Sequence, residues 1–334
     1  MDKKIIALAV AAVFATPLTF AQETGNTVYS DSGTSLKVGG RAEARLSVQD
    51  GKTEDKTRIR LNMLGKVDIQ DGLYGIGFYE LEYQANDESA TKEDDEFDTR
   101  KAYAGIGGAF GEITYGKNDA ALGVVTDFTD IMAYHGAKAS YKSDIADRTD
   151  NIVSYKGAFN DLSLKASYRF ADRTETGGEY DDNDKSGYSV SAIYNFSDLG
   201  LSIGAGAAKQ DADTSAAEED QYMIAISYTI GGLYLGAFYE DGEVADDDKT
   251  AYEVAAKYTM DKFVFSTSYG KQELEDDTSA EATAIDMTYF FKDNFRTYIS
   301  YEFNMMDEGD KYGTTTVTKA KAEDELALGL RYDF

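Results

Sequence analysis

The sequence predicts an all-β chain, a 16-stranded antiparallel transmembrane β-barrel with short turns at one rim and long loops at the other. Three observations carry that expectation. Apolar and charged residues alternate with a period of two, the connections alternate between short and long, and the composition is aromatic and glycine-rich with almost no proline. Of 334 residues, 25 are Tyr, 17 Phe and 31 Gly, against 1 Pro and 0 Trp. Proline cannot donate to a ladder and is tolerated mainly at sheet edges, which a closed barrel lacks.

The single proline, Pro17, falls in a leading segment that reads as a targeting signal. Lys3 and Lys4 precede an unbroken apolar run from Ile5 to Ala15, and a short stretch then leads to Ala21. That is the layout of a secretory signal peptide cleaved before Gln22. The run is too short to cross a bilayer as a helix, which takes about 20 residues. Residues 1–21 are therefore expected to be removed, leaving 22–334 as one barrel domain. Gln22 to about Gly33 is polar, and reads as a periplasmic tail or as a segment folded into the lumen.

Beyond Gln22 no apolar run is long enough for a transmembrane helix, and the alternation takes over. Leu36, Val38, Ala42, Ala44, Leu46 and Val48 are interleaved with Lys37, Arg41, Glu43, Arg45 and Ser47. Next, Ile59, Leu61, Met63, Val67 and Ile69 oppose Lys56, Arg58, Arg60, Asn62, Lys66 and Asp68. At the C-terminal end Leu326, Leu328, Leu330, Tyr332 and Phe334 alternate with Ala327, Gly329, Arg331 and Asp333. Side chains of a strand point alternately to its two faces, so each segment has one apolar and one polar surface. The concentration of arginine on the polar face exceeds what an ordinary solvated surface requires. It favours a lumen-lining face over the outside of a soluble sandwich.

The connections set the strand number. Short turns are expected at Asp71-Gly72, Gly107–Gly111, Gly157–Asp161, Asp198–Gly200, Gly231-Gly232, Met260-Asp261 and Lys292–Asn294. Longer acidic connections cover Gln49–Asp55, Ala85–Phe97, Ala171–Ser186, Lys209–Glu219, Asp241–Lys249, Lys271–Glu281 and Met305–Ala322. One more, Asn118–Asp147, is exceptional in length and less acidic. Fifteen connections imply sixteen strands, at roughly 20 residues per strand and connection, which suits tilted membrane strands of about 9–11 residues. Tyr194, Phe196, Tyr289 to Phe291 and Phe295 flank short turns, where an aromatic girdle would meet the headgroup layer.

The counts also exclude chemistry. Lys plus Arg is 33 against 61 Asp plus Glu, a formal net charge of −28, which opposes nucleic-acid binding. Without cysteine there are no disulfides, thiolate metal sites or Cys nucleophiles. His135, the one histidine, reads as a polar loop residue. The runs Glu93–Glu96, Asp181-Asp182, Glu218–Asp220, Asp246–Asp248 and Glu275–Asp277 read as solvated loop faces. Asp182, Asp184, Ser186 and Gly187 imitate the start of an EF-hand, but its twelfth position would be Ile193. No cofactor is expected, apart from weak Ca²⁺ or Mg²⁺ at the acidic loops, where the ion would bridge to lipopolysaccharide phosphates.

The stretches VGGRAEARLS (38–47), LYGIGFYE (73–80), KAYAGIGG (101–108), EITYGKNDAALGVVTDFTDIMAYHG (112–136), KASYRFADR (165–173), FRTYISYEFN (295–304) and EDELALGLRYDF (323–334) resemble the Gram-negative general porins, nearest to those of Vibrio-type bacteria. The resemblance runs from first strand to last. It implies that residues 118–147 fold inward as a constriction loop, with Asp127 and Asp130 as its acids. Arg41, Arg60, Arg100 and Arg148 take the positions of the basic wall, with Arg45, Arg58 and Glu43 as further lumen candidates. Parity independently places Arg41 and Arg60 on the charged face. Ala133-Tyr134-His135-Gly136 departs from the enterobacterial loop pattern. Gly329, Tyr332 and Phe334 resemble the signal read by the barrel-insertion machinery. The family further implies a homotrimer in the cell outer membrane, in contact with its lipids and lipopolysaccharide.

Arginines facing carboxylates across a water-filled constriction create a transverse field. Such a channel would pass ions and small hydrophilic solutes passively, limited by size, with the negative charge favouring cations. Two other classes fit a barrel of this kind. One is an enzyme in a similar barrel, which would have to work through His135. The other is an adhesin or phage-receptor barrel in which conduction is secondary.

Overall fold

The computed structural model describes residues 25–84, 97–183, 185–210, 219–244 and 247–334. The expected signal peptide, the acidic run Glu93–Glu96 and most of the connections at 85–97 and 209–219 lie outside them. Sixteen long strands form the wall. They are β1 (Thr34–Gln49), β2 (Arg58–Gln70), β3 (Leu73–Gln84), β4 (Asp98–Gly108), β5 (Gly111–Asp119) and β6 (Arg148–Phe159). Next come β7 (Leu162–Arg169), β8 (Gly187–Phe196), β9 (Leu201–Gln210), β10 (Glu219–Ile230) and β11 (Leu233–Val244). The ring is completed by β12 (Asp247–Met260), β13 (Phe263–Leu274), β14 (Asp277–Lys292), β15 (Phe295–Asn304) and β16 (Glu325–Asp333).

Each strand runs antiparallel to its neighbours. β16 returns to β1 through pairs from Leu326 with Val48 to Asp333 with Arg41, which closes the ring. The sheet holds eighteen strands because two short pieces, Asn26–Asp31 and Lys52–Asp55, fold back along β1.

The polarity is that of a barrel in lipid. Ile59, Met63, Val67, Leu328, Leu330 and Tyr332 are exposed on the outer wall, whereas Glu43, Ser47, Asn62 and Glu82 are buried on the inner one. Apolar residues therefore face hydrocarbon and polar residues face the lumen, as the alternation requires.

The seven short turns fall where expected, to within a residue or two. Asp71 and Gly72 show why the sequence turns there: both have positive φ, 54° and 80°. That is the geometry of a two-residue turn matched to the twist of its strands, and Asp-Gly tolerates it. The girdle forms on this rim. Tyr194 meets Phe196 at 4.8 Å between ring centroids, Tyr289 meets Phe291 at 5.1 Å, and Phe291 meets Phe295 at 5.5 Å.

The opposite rim differs from the sequence reading. The connection expected at 271–281 is mostly strand: β13 continues to Leu274, turns at Glu275-Asp276 and resumes as β14. At 241–249 the ladder likewise runs to the pair Val244–Asp247. The connection at 49–55 is a hairpin in which Lys52 returns to Gln49, and 171–186 contains the hairpin Arg173–Thr176 with Glu179–Asp182. Above the membrane both faces of a strand meet water, so alternation disappears while the backbone ladder persists.

Residues 26–31 are neither a free tail nor a lumen plug. They pair with Thr34–Val38 of β1 beyond the end of β16, and every one of them is exposed. The long connection between β5 and β6, by contrast, turns into the barrel. Its residues Ala120, Ala121, Leu122, Val125 and Phe128 have no exposed surface.

Candidate functional site

The inward loop, residues 120–147, is held as a small core inside the lumen. Leu122, Val125 and Phe128, around the single helical turn Gly123–Thr126, pack with Ile145 and Ala146 against Ile193, Ala208, Met223, Ala225 and Phe238 on β8 to β11. The wall makes room with glycine. A Cβ on Gly206 would lie 2.6 Å from Leu122 Cδ2, and one on Gly204 would lie 2.9 Å from Phe128 Cε2.

Polar contacts fix the loop along its length. Ala121 N–H donates to Ser189 Oγ at 2.8 Å, and Tyr234 Oη donates to the Phe128 carbonyl at 2.7 Å. Ser143 N–H donates to Gln221 Oε1 at 2.9 Å, and Gln221 Nε2 donates to Glu240 Oε1 at 2.9 Å. Glu240 also binds Lys249, forming a buried ion pair. At the far end His135 Nδ1 lies 2.8 Å from Ser300 Oγ, and its Nε2 lies 3.4 Å from Glu325 Oε2. Tyr134 Oη donates to Glu325 Oε1 at 2.9 Å, and Lys138 Nζ donates to Glu302 at 2.6 Å. His135 is thus a buried anchor rather than a loose polar residue.

Asp127 and Asp130 are exposed, between loop residues that are buried against β8 to β11. Enclosure by the barrel, together with the Asp130 carboxylate, pushes the Asp127 pKa up to about 6, against the pull of Lys142 and Lys165. Lumen water at the exposed side chain moderates that rise. Enclosure also raises Asp130, with Lys142 opposing.

Half a turn of the ring away stands the arginine cluster. Arg41, Glu43 and Arg45 share the inner face of β1, and Arg58 and Arg60 that of β2. Glu43, with no exposed side-chain surface, lies 3.8 Å from Arg41, 3.3 Å from Arg45 and 2.9 Å from Arg58. Glu82 pairs with Arg60 and lies 3.8 Å from Arg58. Arg100 binds Glu80 at 2.9 Å and reaches Glu82 at 3.7 Å. The wall is therefore an interleaved network of arginine and glutamate. Arg148 stands farther round, paired in the ladder with Asp119, which binds Lys101 at 2.5 Å.

Three neighbours of this network escaped sequence reasoning. Tyr298 donates to Glu43 Oε1 at 3.1 Å and accepts from Arg45 Nε at 3.1 Å. Its ring covers Gly329, where a Cβ would meet Tyr298 Cζ at 2.0 Å. Gly329 thus has a packing reason of its own, whereas Tyr332 and Phe334 face outward. Arg296 and Arg331, paired across β15 and β16, extend the cluster toward the short-turn rim, and both bind Asp333. The alternation of the last strand was the available signal for Arg331.

A closed sixteen-stranded wall, lipid-facing outside and narrowed by an inward loop, is matched by comparison with known proteins. The family model described as Gram-negative porin covers residues 7–334. The chain belongs to the Gram-negative porins. The porin is 55% identical over 354 residues to outer membrane protein U of Vibrio vulnificus, with 100% of both chains covered. It is 44% identical over 366 residues to porin-like protein L of Photobacterium profundum, again with 100% of both covered. Among solved structures, Salmonella typhi OmpF in complex with daunomycin superposes with a TM-score of 0.78 at 21% identity, covering 92% of this porin and 100% of that chain. The trimer form of OmpT from Vibrio cholerae gives 0.66 at 18%, covering 91% and 100%. These names are those of porins and outer-membrane proteins rather than enzymes, and they place this porin in the Gram-negative outer membrane.

Proposed function

We propose that the chain is a general diffusion porin, passing ions and small hydrophilic solutes passively, within a size limit and with a preference for cations. The observation that carries this reading is the pairing of the two sides of the lumen. Asp127 and Asp130 stand exposed on the inward loop, while Glu43, Glu80 and Glu82 offset three of the five charges of Arg41, Arg45, Arg58, Arg60 and Arg100 opposite. A wall offset in this way gives the loop acids, and the acidic surroundings, the larger share in setting the sign of selectivity. Charge pairs on the wall still orient water and polar solutes across the opening, which disfavours apolar ones.

The mature barrel is read as residues 22–334 after loss of a 1–21 signal peptide, and as a homotrimer with one pore per subunit. A trimer form solved for a porin of the same fold supports that assembly. Contact with lipopolysaccharide through divalent cations, and recognition of Gly329, Tyr332 and Phe334 by the insertion machinery, complete the proposal.

The test is reconstitution of the purified protein into a planar bilayer under a salt gradient. Conductance steps in groups of three and a cation-selective reversal potential are expected. An anion-selective potential overturns the assigned preference, and failure to conduct under all insertion conditions overturns the channel.

A further inference from the structure

We infer a second lumenal site, an oxyanion-binding subsite formed by Arg41, Arg296 and Arg331 between the inward loop and the short-turn rim. The inference deepens the diffusion-porin reading and rests on it. All three residues lie on inner faces of adjacent strands. Arg296 pairs with Arg331 between β15 and β16, Arg331 pairs with Glu43, and Asp333 pairs with Arg41 between β16 and β1. Arg296 is the second residue of β15, after the turn at Asp293-Asn294, which fixes the height of the cluster near that rim.

Carboxylates are fewer here than beside Arg60 and Arg100. Glu80 and Glu82 face Arg60 and Arg100, whereas the lower cluster has mainly Asp333. Asp333 Oδ1 takes Arg331 Nε at 2.9 Å and Nη2 at 2.7 Å, and its Oδ2 lies 3.2 Å from Arg296 Nη2. Among the described residues Arg41 has only Glu43 as an ion-pair partner, at 3.8 Å, and Glu43 is already shared by Arg45 and Arg58. Its Nε is buried and has no hydrogen-bond partner among the described residues. Beside the cluster, the Phe334 backbone oxygen accepts from Gly40 N–H at 3.0 Å.

Three guanidinium groups sharing so few carboxylates leave forked donors available to a planar or tetrahedral oxyanion. The side chains keep between 15% and 23% of their surface open, so each guanidinium-bearing side chain is partly open to the lumen. The ligand class is a solute carrying a phosphoryl or other multivalent oxyanion group, entering through the short-turn rim. Such a group would dwell at the arginines while the solute waits to pass the loop.

Single-channel recording with inorganic pyrophosphate tests this on the full chain. On one insertion, millimolar pyrophosphate in one chamber should cause concentration-dependent interruptions of current, and in the other chamber little effect. Replacing two guanidinium groups in R296Q/R331Q should weaken the block by about tenfold or more, the equivalent of one lost charge-assisted contact. R331K, which keeps charge without the fork, should lie between. Should the double variant fail to insert, R331Q alone carries the comparison. Equal block from both chambers, no block, or undiminished block in the glutamine variants overturns the subsite. Conducting steps without block leave the diffusion pore standing, so the two readings fail separately.

Discussion

Gly206 of the wall and Leu122 of the inward loop fit each other so closely that a Cβ on the glycine would lie 2.6 Å from Leu122 Cδ2. The loop position is therefore set by missing side chains on β9 as much as by bonds. G206V should displace the loop at an overpacking cost of about 1–3 kcal/mol. The expected result is a conductance different from wild type with increased current noise, measured in a planar bilayer. An unchanged trace would show that the loop is positioned by its polar contacts alone.

Glu43 is shared by three arginines from a fully buried position. Replacing it by Gln in E43Q leaves Arg41, Arg45 and Arg58 facing one another. Removing one partner of such a buried network costs about 3–5 kcal/mol. The thermal transition of the barrel should fall, and the reversal potential should move toward anions. Calorimetry and a salt-gradient recording read the two effects independently.

The raised pKa of Asp127, about 6, gives selectivity a pH dependence with a definite sign. Above that value the carboxylate is charged and attracts cations; below it the group takes up a proton and that attraction is lost. Cation preference should therefore decline between pH 7.5 and pH 5. In D127N the preference should already be reduced at pH 7.5 and vary less over the same interval. Reversal potentials at the two pH values check both statements.

His135 ties the loop to β15 through Ser300 and to β16 through Glu325. Truncation in H135A leaves Glu325 with its bonds from Ser47 and Tyr134 but removes the buried ring, at about 1–3 kcal/mol. Greater hydrogen exchange is expected in residues 131–138, with little change in residues 120–128, which have their own core. Uniform exchange across the loop would mean that the two ends do not move separately.

The outer wall offers a place to test assembly. Gly65, Gly77, Ala102 and Ala104 lie on facing rows of β2, β3 and β4, and a Cβ on Gly77 meets nothing within 4 Å. A bulky residue there, G77W, should leave the barrel folded and shift a trimer toward monomer in detergent, seen by light scattering. Retention of the trimer would place the subunit contact elsewhere.

Much of the wall was legible because its chemistry repeats every second residue: Ile59 and Met63 face out, Arg58 and Arg60 face in. The hairpin at Glu275-Asp276 was not, since its acidic strand ends look like loop once both faces are wet. Asp127 was found only by resemblance; its exposure depends on Leu122, Val125 and Phe128 turning the other way. Gly204 and Gly206 were opaque for a deeper reason. Their role lies in a contact with residues some eighty positions earlier, and no local period encodes it.

The seam between β1 and β16 joins Val48 to Leu326, partners separated by nearly the whole chain. A contact so distant in sequence is among the slowest to form. Until it does, two long ladders lie open to any other strand. The vulnerable moment for this molecule thus comes before the pore exists, and protection of those two edges is a demand the ring places on whatever accompanies it to the membrane.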